Sequence, residues 1–222
     1  PSIDLLAEKA EAVFLALPHG VAAEFAVPLA ERGVTVIDLS ADFRLNDPAV
    51  YHEFYGAEHP APKWLAKAVY GLPEIRRDAI ANATLIASPG CYPTSILLPL
   101  IPLLEAGLID PGQIIADSLS GVSGAGRNAS LPFLYVECNE SLRPYGAPKH
   151  RHLSEIEQEL GLANGSPVTV QFTPHLVPVN RGILTTLYLA PALGQAADID
   201  QWPAAVTDRF SKRYAAEPII RI

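Results

Sequence analysis

Several residue types are scarce in this chain of 222 residues, and each shortage argues against a class of protein. The two cysteines, Cys91 and Cys138, form neither a CxxC pair nor a metal-ligand spacing, so a disulfide scaffold or a zinc site is not expected. Basic residues number 16 against 24 acidic ones and form no cluster, which argues against nucleic acid as a partner. The longest apolar run, residues 96–104, is too short to span a bilayer, so no membrane partner is expected.

Apolar residues make up 49% of the chain and charged residues only 18%, as in folded proteins with a sizeable core. No signal-peptide pattern opens the sequence, and a cysteine count of two is typical of a reducing compartment, so we expect a cytoplasmic protein. The chain has no methionine at all and begins inside a predicted helix. We therefore expect a piece of a longer polypeptide that lacks both ends of the whole.

Short apolar strands alternate with helices in the first half of the chain. Strands are predicted over residues 12–17, 34–39 and 85–87, and a helix is predicted over residues 21–31 with its end at Gly33. Apolar strands joined through helices indicate a parallel sheet covered on both faces, which binds ligands beyond the carboxyl ends of its strands. The segments that follow those ends are Pro18-His19-Gly20, Ser40-Ala41-Asp42 and Pro89-Gly90-Cys91.

The stretch 47–70 lies between these strands, is rich in Tyr, His, Pro and Trp, and has weak periodicity. We interpret it as a short helix followed by a surface loop. Its histidines, His52 and His59, are then expected to be ordinary surface residues.

Alternating polar and apolar residues replace the uniformly apolar strands in the second half of the chain, which indicates a mostly antiparallel, half-exposed sheet. The predicted elements are strands 113–120, 168–172 and 183–189 and helices 153–160, which Gly161 closes, and 202–214. The fold class is therefore α/β, with a parallel-sheet domain over residues 1–90 followed by an α+β domain over residues 91–222.

Cys91 lies between a predicted strand and a predicted helix, in the run Ser88-Pro89-Gly90-Cys91-Tyr92-Pro93-Thr94. Pro93 suits the first turn of a helix, because its missing N–H would have no intrahelical partner there. The sulfur would lie near unpaired N–H groups at the positive end of the helix dipole, which favours the thiolate. The alternative is a small, buried structural cysteine. Because histidines follow downstream, we take Cys91 as the nucleophile.

The loop Ser120–Arg127 contains three glycines, two serines and an arginine. Glycines let the backbone approach an anion, while hydroxyls, N–H groups and Arg127 can donate to it. Arg181, in the connection between the last two predicted strands, is a second candidate anion ligand. The alternative for the loop is a flexible hairpin connection, since its spacing matches neither a P-loop nor the usual GxGxxG.

Three histidines compete for the role of a base. His150 and His152 precede a predicted helix, in a polar segment that also contains Tyr145. An imidazole can take a thiol proton near pH 7, and in an extended segment only one of the two would face Cys91. His175 is the competing base. The alternative for the pair is a solvated basic patch.

With these segments in place, the chain closely resembles the N-acetyl-gamma-glutamyl-phosphate reductase family of arginine biosynthesis, which belongs with aspartate-semialdehyde dehydrogenase and glyceraldehyde phosphate dehydrogenase. The matching segments run in order through nearly the whole chain: residues 14–20, 36–44, 70–74, 89–94, 120–127, 150–152 with 155–158, and 172–178 with 181–182. The family's first strand, its Gly-rich pyrophosphate loop and its last elements have no match here. The resemblance therefore implies weak or no cofactor binding by this chain alone.

The resemblance implies an activity, a cofactor and an assembly. The reaction is the NADPH-dependent reduction of N-acetyl-L-glutamyl 5-phosphate to the 5-semialdehyde, with release of phosphate, through a thioester on Cys91. NADP(H) is the implied cofactor, a small molecule the implied substrate, and a homo-oligomer, dimer or tetramer, the implied assembly. Residues 1–90 would be the C-terminal part of an NAD(P)-binding Rossmann domain, and residues 91–222 the catalytic and dimerisation domain. The alternatives are an aminoadipyl-phosphate reductase, a thiol hydrolase or acyltransferase, and a non-catalytic fragment.

The resemblance also assigns roles to residues. The base is placed on His150, with His152 as its near rival and a substrate ligand. Arg127 and Arg181 are expected to hold the substrate's carboxylate or phosphate, and Tyr145 to contact the substrate. The residues implied to contact the cofactor are Pro18, His19, Gly20, Ser120, Gly121, Ser123 and Gly124. No metal ligands are expected.

Overall fold

A four-stranded sheet lies in each of the two units into which the chain divides, Pro1–Gly90 and Cys91–Ile222. The computed structural model describes residues 2–192 and 200–222. Within these residues, no helix is both long enough and apolar enough to cross a membrane.

The first unit alternates helices and parallel strands, as predicted. Its elements are α1 (Ile3–Lys9), β1 (Ala12–Leu15), α2 (Ala22–Glu31), β2 (Thr35–Asp38), α3 (Pro48–Tyr55), α4 (Pro62–Leu65), β3 (Val69–Tyr70), α5 (Pro73–Ala81) and β4 (Leu85–Ala87). The strand order is β1-β2-β4-β3, and all three pairs are parallel. Leu15 and Val36 pack against buried α2 residues on one face, whereas Phe14 on the other face of β1 is 70% exposed. The parallel sheet is confirmed, but its predicted cover is incomplete on the Phe14 side.

The segment 47–70 contains more structure than a short helix and a surface loop. It forms α3, α4 and β3, and His59 is only 5% exposed, so the expectation of a surface histidine is wrong. The Nδ1 atom of His59 accepts the N–H of Ala61 at 3.0 Å, and its Nε2 atom lies 2.6 Å from the carbonyl oxygen of Asp42. Tyr51 packs edge-on against the same ring. The aromatic residues of this segment therefore build a second layer of packing at the end of β2.

Two of the turns predicted to lie at the carboxyl ends of strands are joined directly. The fully buried carboxylate of Asp42 accepts the N–H of Gly20 at 2.6 Å and that of Ala23 at 3.1 Å. It thereby satisfies N–H groups at the start of α2 that no helical carbonyl can reach. The turn Pro18-His19-Gly20 is held to the end of β2 by this carboxylate, and its three residues remain exposed.

The second unit places two long helices on a mixed sheet. Its elements are α6 (Cys91–Glu105), β5 (Ile109–Ser120), two 3₁₀ helices (Val122–Ala125 and Leu131–Phe133), α7 (Tyr135–Cys138), β6 (Arg143–Pro144), α8 (His152–Asn164), β7 (Val170–Leu176), β8 (Ile183–Pro191) and α9 (Trp202–Arg213). The strand order is β6-β7-β5-β8. The two outer pairs are antiparallel, as predicted, but β5 and β7 are parallel, because the chain between them crosses over through α8. The predicted helix end at Gly161 is wrong, since α8 continues to Asn164 and ends at Gly165.

Helix α6 contains Pro99 and Pro102, each of which lacks the N–H that would bind the carbonyl four residues earlier. For Pro102 that carbonyl belongs to Leu98, and the hydroxyl of Tyr214 donates to it. Arg209 donates through Nε to the carbonyl of Pro102 at 2.9 Å. Residues in and just after α9 therefore supply donors to α6, which fixes the helix that begins at Cys91.

Candidate active site

A cavity of about 640 Å³ lies in the second unit, and Cys91 lines it. The lining residues are Cys91, Tyr92, Ser120, Gly121, Gly124, Ala125, Pro132, Phe133, Arg143, Tyr145, His150, Arg151, His152 and Leu176. Cys91 is exposed and is the first residue of α6, so its sulfur lies at the positive end of the helix dipole. The alternative of a buried structural cysteine fits Cys138 instead, which is 6% exposed.

His150 lines the cavity as a neutral ring. Its Nδ1 atom accepts the backbone N–H of His152 at 3.1 Å, at the start of α8. A neutral imidazole that accepts at Nδ1 carries its proton on Nε2. Burial, helped by the charge of Arg151, lowers the pKa of His150 to about 4. At neutral pH His150 is therefore a hydrogen-bond donor through Nε2.

His152 lines the same cavity, with its ring centroid 4.9 Å from that of His150. The expectation that only one of the two would face the site required an extended segment, but Arg151 between them has helical dihedral angles. Gly146 makes room for the pair: its φ is positive, and a Cβ there would lie 2.8 Å from Cδ2 of His150. A turn that opens directly into a helix thus brings both rings to one side.

Two tyrosines complete the aromatic cluster around the histidines. Tyr92, which is 2% exposed, lies with its ring centroid 5.6 Å from that of His150 and 5.9 Å from that of His152. Its hydroxyl oxygen is 2.6 Å from that of Tyr145. Burial raises the pKa of both tyrosines, so both hydroxyls stay protonated. Sequence reasoning predicted Tyr145 but missed Tyr92, whose position directly after Cys91 was the available signal.

The Gly-rich loop is built differently from an open anion nest. A Cβ on Gly121 would lie 2.9 Å from backbone atoms of Asn180 and Arg181, so only glycine fits this close crossing. The N–H groups of Gly121, Val122 and Ser123 donate at 3.0 Å to carbonyls of residues 179–182. These N–H groups therefore join the loop to residues 179–182 and are not available to an anion.

The predicted ligand residues of the loop separate into two places. Ser120, Gly121 and Gly124 line the Cys91 cavity. Ser123 and Arg127 line a smaller pocket of about 350 Å³ instead.

The cations that line the Cys91 cavity differ from those expected from the sequence. Arg181 is exposed and, like Arg127, is not among the residues that line it. Arg143 and Arg151 do line it, and sequence reasoning missed both as ligands. For Arg151 the signal was its position between the two histidines.

His175 lies on the other face of the sheet. Alternate residues of a strand point to opposite faces, and its neighbour Leu176 lines the cavity. The backbone of His175 pairs with Leu119 and Pro144. This placement removes His175 from competition with His150 and His152 as the partner of Cys91.

Comparison with known families assigns both halves of the chain. Residues 91–222 match the family description "Semialdehyde dehydrogenase, dimerisation domain", and residues 2–83 match "Semialdehyde dehydrogenase, NAD binding domain". The chain therefore belongs to the semialdehyde dehydrogenase family. Its fold is shared with the aspartate semialdehyde dehydrogenase of Francisella tularensis, at a TM-score of 0.63 and 16% identity over 94% of this chain and 65% of that one.

Within that family, curated relatives named N-acetyl-gamma-glutamyl-phosphate reductase match nearly the whole chain. The protein of that name from Akkermansia muciniphila is 57% identical over 98% of this chain and 61% of its own length. That from Moorella thermoacetica is 50% identical over 99% of this chain and 62% of its own length. These relatives confirm the resemblance predicted from the motifs. The chain spans about three fifths of their length.

Proposed function

We propose that the polypeptide containing this chain reduces N-acetyl-L-glutamyl 5-phosphate to N-acetyl-L-glutamate 5-semialdehyde with release of phosphate, as a step of arginine biosynthesis. The observation that carries the proposal is an exposed thiol at a helix N-terminus, in one cavity with two histidines and two arginines. The names of the relatives supply the substrate. A one-carbon-longer aminoadipyl phosphate is the alternative substrate of the same chemistry.

Cys91 is the proposed nucleophile. Its sulfur attacks the acyl carbon of the substrate, and the bond from that carbon to the phosphate oxygen breaks. Phosphate leaves, and the acyl group remains on Cys91 as a thioester. A nicotinamide cofactor, when bound, supplies the hydride that reduces this thioester. The resulting thiohemiacetal then loses the Cys91 sulfur, and the aldehyde is released. A thiol that is stabilised as thiolate serves both as attacking and as leaving group.

His150 and His152 are proposed to divide the work of a single base. The neutral ring of His150, with its proton on Nε2, is suited to donate a hydrogen bond to the oxyanion that forms on the acyl oxygen. A neutral imidazole is a poor source of a whole proton, so the proton transfers are assigned to His152. The prediction of His150 as a catalytic residue is retained, with a donor role in place of the base.

Charge on the substrate requires cations at two places, its carboxylate and its phosphate. Arg143 and Arg151 line the Cys91 cavity and are proposed as the ligands in this unit. Arg127 and Arg181 remain predictions, to be tested beside them.

The cofactor is proposed to be NADP(H), bound at the carboxyl edge of the parallel sheet. The exposed turn Pro18-His19-Gly20 fits such a contact. The start of α2 does not fit a phosphate, because the carboxylate of Asp42 already accepts the N–H groups of Gly20 and Ala23. Ser120, Gly121, Ser123 and Gly124 stay predicted cofactor residues, with contacts through side chains and carbonyls in place of the N–H groups already used.

A homo-oligomer in the cytoplasm is the proposed setting. The sheet face opposite α6 presents Leu184, 64% exposed, and Tyr188, 55% exposed, together with Ile115. A second copy of the chain would cover this apolar face. Sedimentation of the wild type and of Leu184→Asp would test it, with a smaller particle expected for the variant.

The activity is tested in the reverse direction on the full-length polypeptide. Semialdehyde, phosphate and NADP+ should together give phosphate-dependent formation of NADPH, with less for the aminoadipate homologue. Release of free acid without nicotinamide would favour the thiol hydrolase. The absence of any turnover would favour a non-catalytic role. Titration of the present chain alone with NADPH should give weak or no binding.

The nucleophile has its own test. Cys91→Ala should retain less than about one part in a thousand of the turnover while cofactor affinity stays nearly unchanged, because only the covalent step is lost. Cys138→Ala is the matched control, since that thiol is buried and is not among the residues that line the cavity. Activity of Cys91→Ala well above that fraction would contradict the assignment.

A further inference from the structure

Three hydroxyl groups form a continuous chain beneath the first turn of α6. The hydroxyl of Ser95 donates to the backbone carbonyl of Tyr92 at 2.9 Å. The Oγ1 atom of Thr185 lies 2.9 Å from Oγ of Ser95 and 2.9 Å from Oγ of Ser118. The chain thus connects β5 and β8 with the helix that begins at Cys91.

The direction of every bond in this chain is fixed by counting protons. A carbonyl can only accept, so the one hydroxyl proton of Ser95 is used on Tyr92. Thr185 must then donate to Ser95, and with its own proton used, it must accept from Ser118. A one-way series of this kind polarises itself, and its middle member both donates and accepts. Thr185 is that member, so removing its hydroxyl breaks two bonds at once.

The surroundings of Thr185 make the chain a specific link. Ser118 is fully buried and pairs directly with Thr185 across β5 and β8. Loss of the threonine hydroxyl would leave the proton of the buried Ser118 without its acceptor. The next residue, Thr186, points to the opposite face and is exposed. It offers the same side chain without the link.

Tyr92 lies at the end of this series of hydroxyl groups and is held at its carbonyl, its hydroxyl and its ring. Its carbonyl is held by Ser95 and its hydroxyl by Tyr145, while its ring packs against those of His150 and His152. Cys91 precedes it directly in the first turn of α6. A shift of Tyr92 therefore changes the position of the sulfur relative to both imidazole rings.

We propose that Thr185 is a positioning residue for Cys91, because its hydroxyl, between Ser118 and Ser95, holds the first turn of α6 against β5 and β8. The inference rests on the proposed function only in taking Cys91 as the nucleophile. Thr185 does not line the cavity with Cys91 and acts through Ser95 and Tyr92.

The test compares Thr185→Val, which keeps the shape and loses the hydroxyl, with Thr185→Ser and Thr186→Val. Each is made in the full-length polypeptide, and the alkylation rate of Cys91 by iodoacetamide is followed against pH by peptide mapping, which separates it from Cys138. Thr185→Val should shift the midpoint of the profile, and kcat should fall about tenfold or more with KM within about twofold. Thr185→Ser should restore both, and Thr186→Val should match the wild type.

A folded Thr185→Val whose alkylation profile and kcat coincide with those of the wild type would overturn the proposal. Equal losses in Thr185→Val and Thr186→Val would overturn it too, because they would indicate a general effect on β8. Should Thr185→Val fail to fold, Ser95→Ala cuts the same chain with a good helix former, and an unchanged profile there is equally decisive. Failure of the proposed function gives a different result, because the wild type itself would then form no NADPH from semialdehyde, phosphate and NADP+, whereas the alkylation profiles of the Thr185 variants would still be measured.

Discussion

His59 in the first unit and His150 in the second accept the same local hydrogen bond. In each ring Nδ1 takes the backbone N–H of the residue two positions ahead, at 3.0 Å and 3.1 Å. In both cases burial is the main cause that lowers the pKa. The two rings differ in the surroundings of Nε2. The Nε2–H of His59 donates to the carbonyl of Asp42, whereas His150 lines a cavity with Cys91. Burial and tautomer are thus shared, and the partner of Nε2 divides a structural histidine from a candidate catalytic one.

The polar residues around the two rings differ in the same way. In the first unit the carboxylate of Asp42 accepts hydrogen bonds from Gly20, Ala23 and Tyr51, so its role is structural. In the second unit polar groups converge on an open space. A dense polar cluster is therefore a poor guide to a site unless some of its members still face a ligand.

Among the substitutions that test this difference between the two histidines, that of His150 should have the largest effect on kcat. In His150→Asn the side-chain oxygen can still accept the N–H of His152, so the start of α8 is kept while the Nε2–H is lost. We expect kcat to fall about 10²- to 10³-fold, as for removal of one oxyanion donor. His152→Asn should also reduce the rate but alter the pH profile, because the proton transfers are assigned to it. His175→Asn, on the opposite sheet face, should stay within about twofold, and a large loss there would contradict the placement.

The corresponding change in the first unit, His59→Asn, should act on stability. Asparagine can replace the Nδ1 acceptor, but the carbonyl of Asp42 loses its donor inside the fold. We expect the free energy of unfolding of the first unit to fall by about 1 to 3 kcal/mol, measured by urea denaturation. His52→Asn is the control, because the His52 side chain is 57% exposed. Alkylation of Cys91 by iodoacetamide should be unchanged in both variants. A slower reaction in His59→Asn would contradict the assignment of a purely structural role to His59.

Both histidines should make the fold less stable in mild acid. A ring whose pKa is lower when folded leaves the unfolded chain with more bound protons as pH falls below 6.5, so the free energy of unfolding decreases. For His150 the window runs from 6.5 down to about 4. Asp38 and Glu157, carboxyls whose pKa burial raises, act in the opposite direction. Urea titrations at several pH values should show a flatter slope for the double variant His59→Asn, His150→Asn, and an unaltered slope would contradict the account.

The smallest expected effect concerns the support of α6. Tyr214→Phe removes the hydroxyl that donates to the carbonyl of Leu98, which Pro102 leaves without its helical donor. The free energy of unfolding of the second unit should fall by about 1 to 2 kcal/mol. Tyr135→Phe is the matched control, since Tyr135 is 78% exposed, and it should change nothing measurable in the same titration.

Local patterns carried the prediction of the fold in most places. The apolar strands at residues 12–17, 34–39 and 85–87 gave β1, β2 and β4, because strands packed against a helical layer leave little room for polar residues. The same reasoning failed at residues 47–70. There the aromatic residues pack against the buried ring of His59, a contact that no local periodicity records. It failed again for β5 and β7, since strand direction depends on the crossover and not on the strand itself.

The site was predictable to a similar degree. Cys91 follows from its position between strand and helix, and the histidine pair from the chemistry that a thiol needs. Arg127 and Arg181 were expected as ligands of the same site, but neither lines the cavity, because the Gly-rich loop folds back on residues 179–182. The expected ligands and the residues that line the cavity are arginines alike. Which arginines share a space with the thiol is set by the path of the backbone.

The amino-acid sequence by itself determined the parallel sheet of the first unit, the helix start at Cys91 and the family, because these depend on local periodicity, on proline and glycine, and on ordered motifs. Only the tertiary structure decided which histidine has Nε2 in a cavity, which arginines line that cavity and which hydroxyls contact the helix that begins at Cys91. Those outcomes depend on hydrogen bonds between residues far apart in the chain. The chain of Ser118, Thr185 and Ser95 spans three elements, and a one-dimensional pattern does not register it.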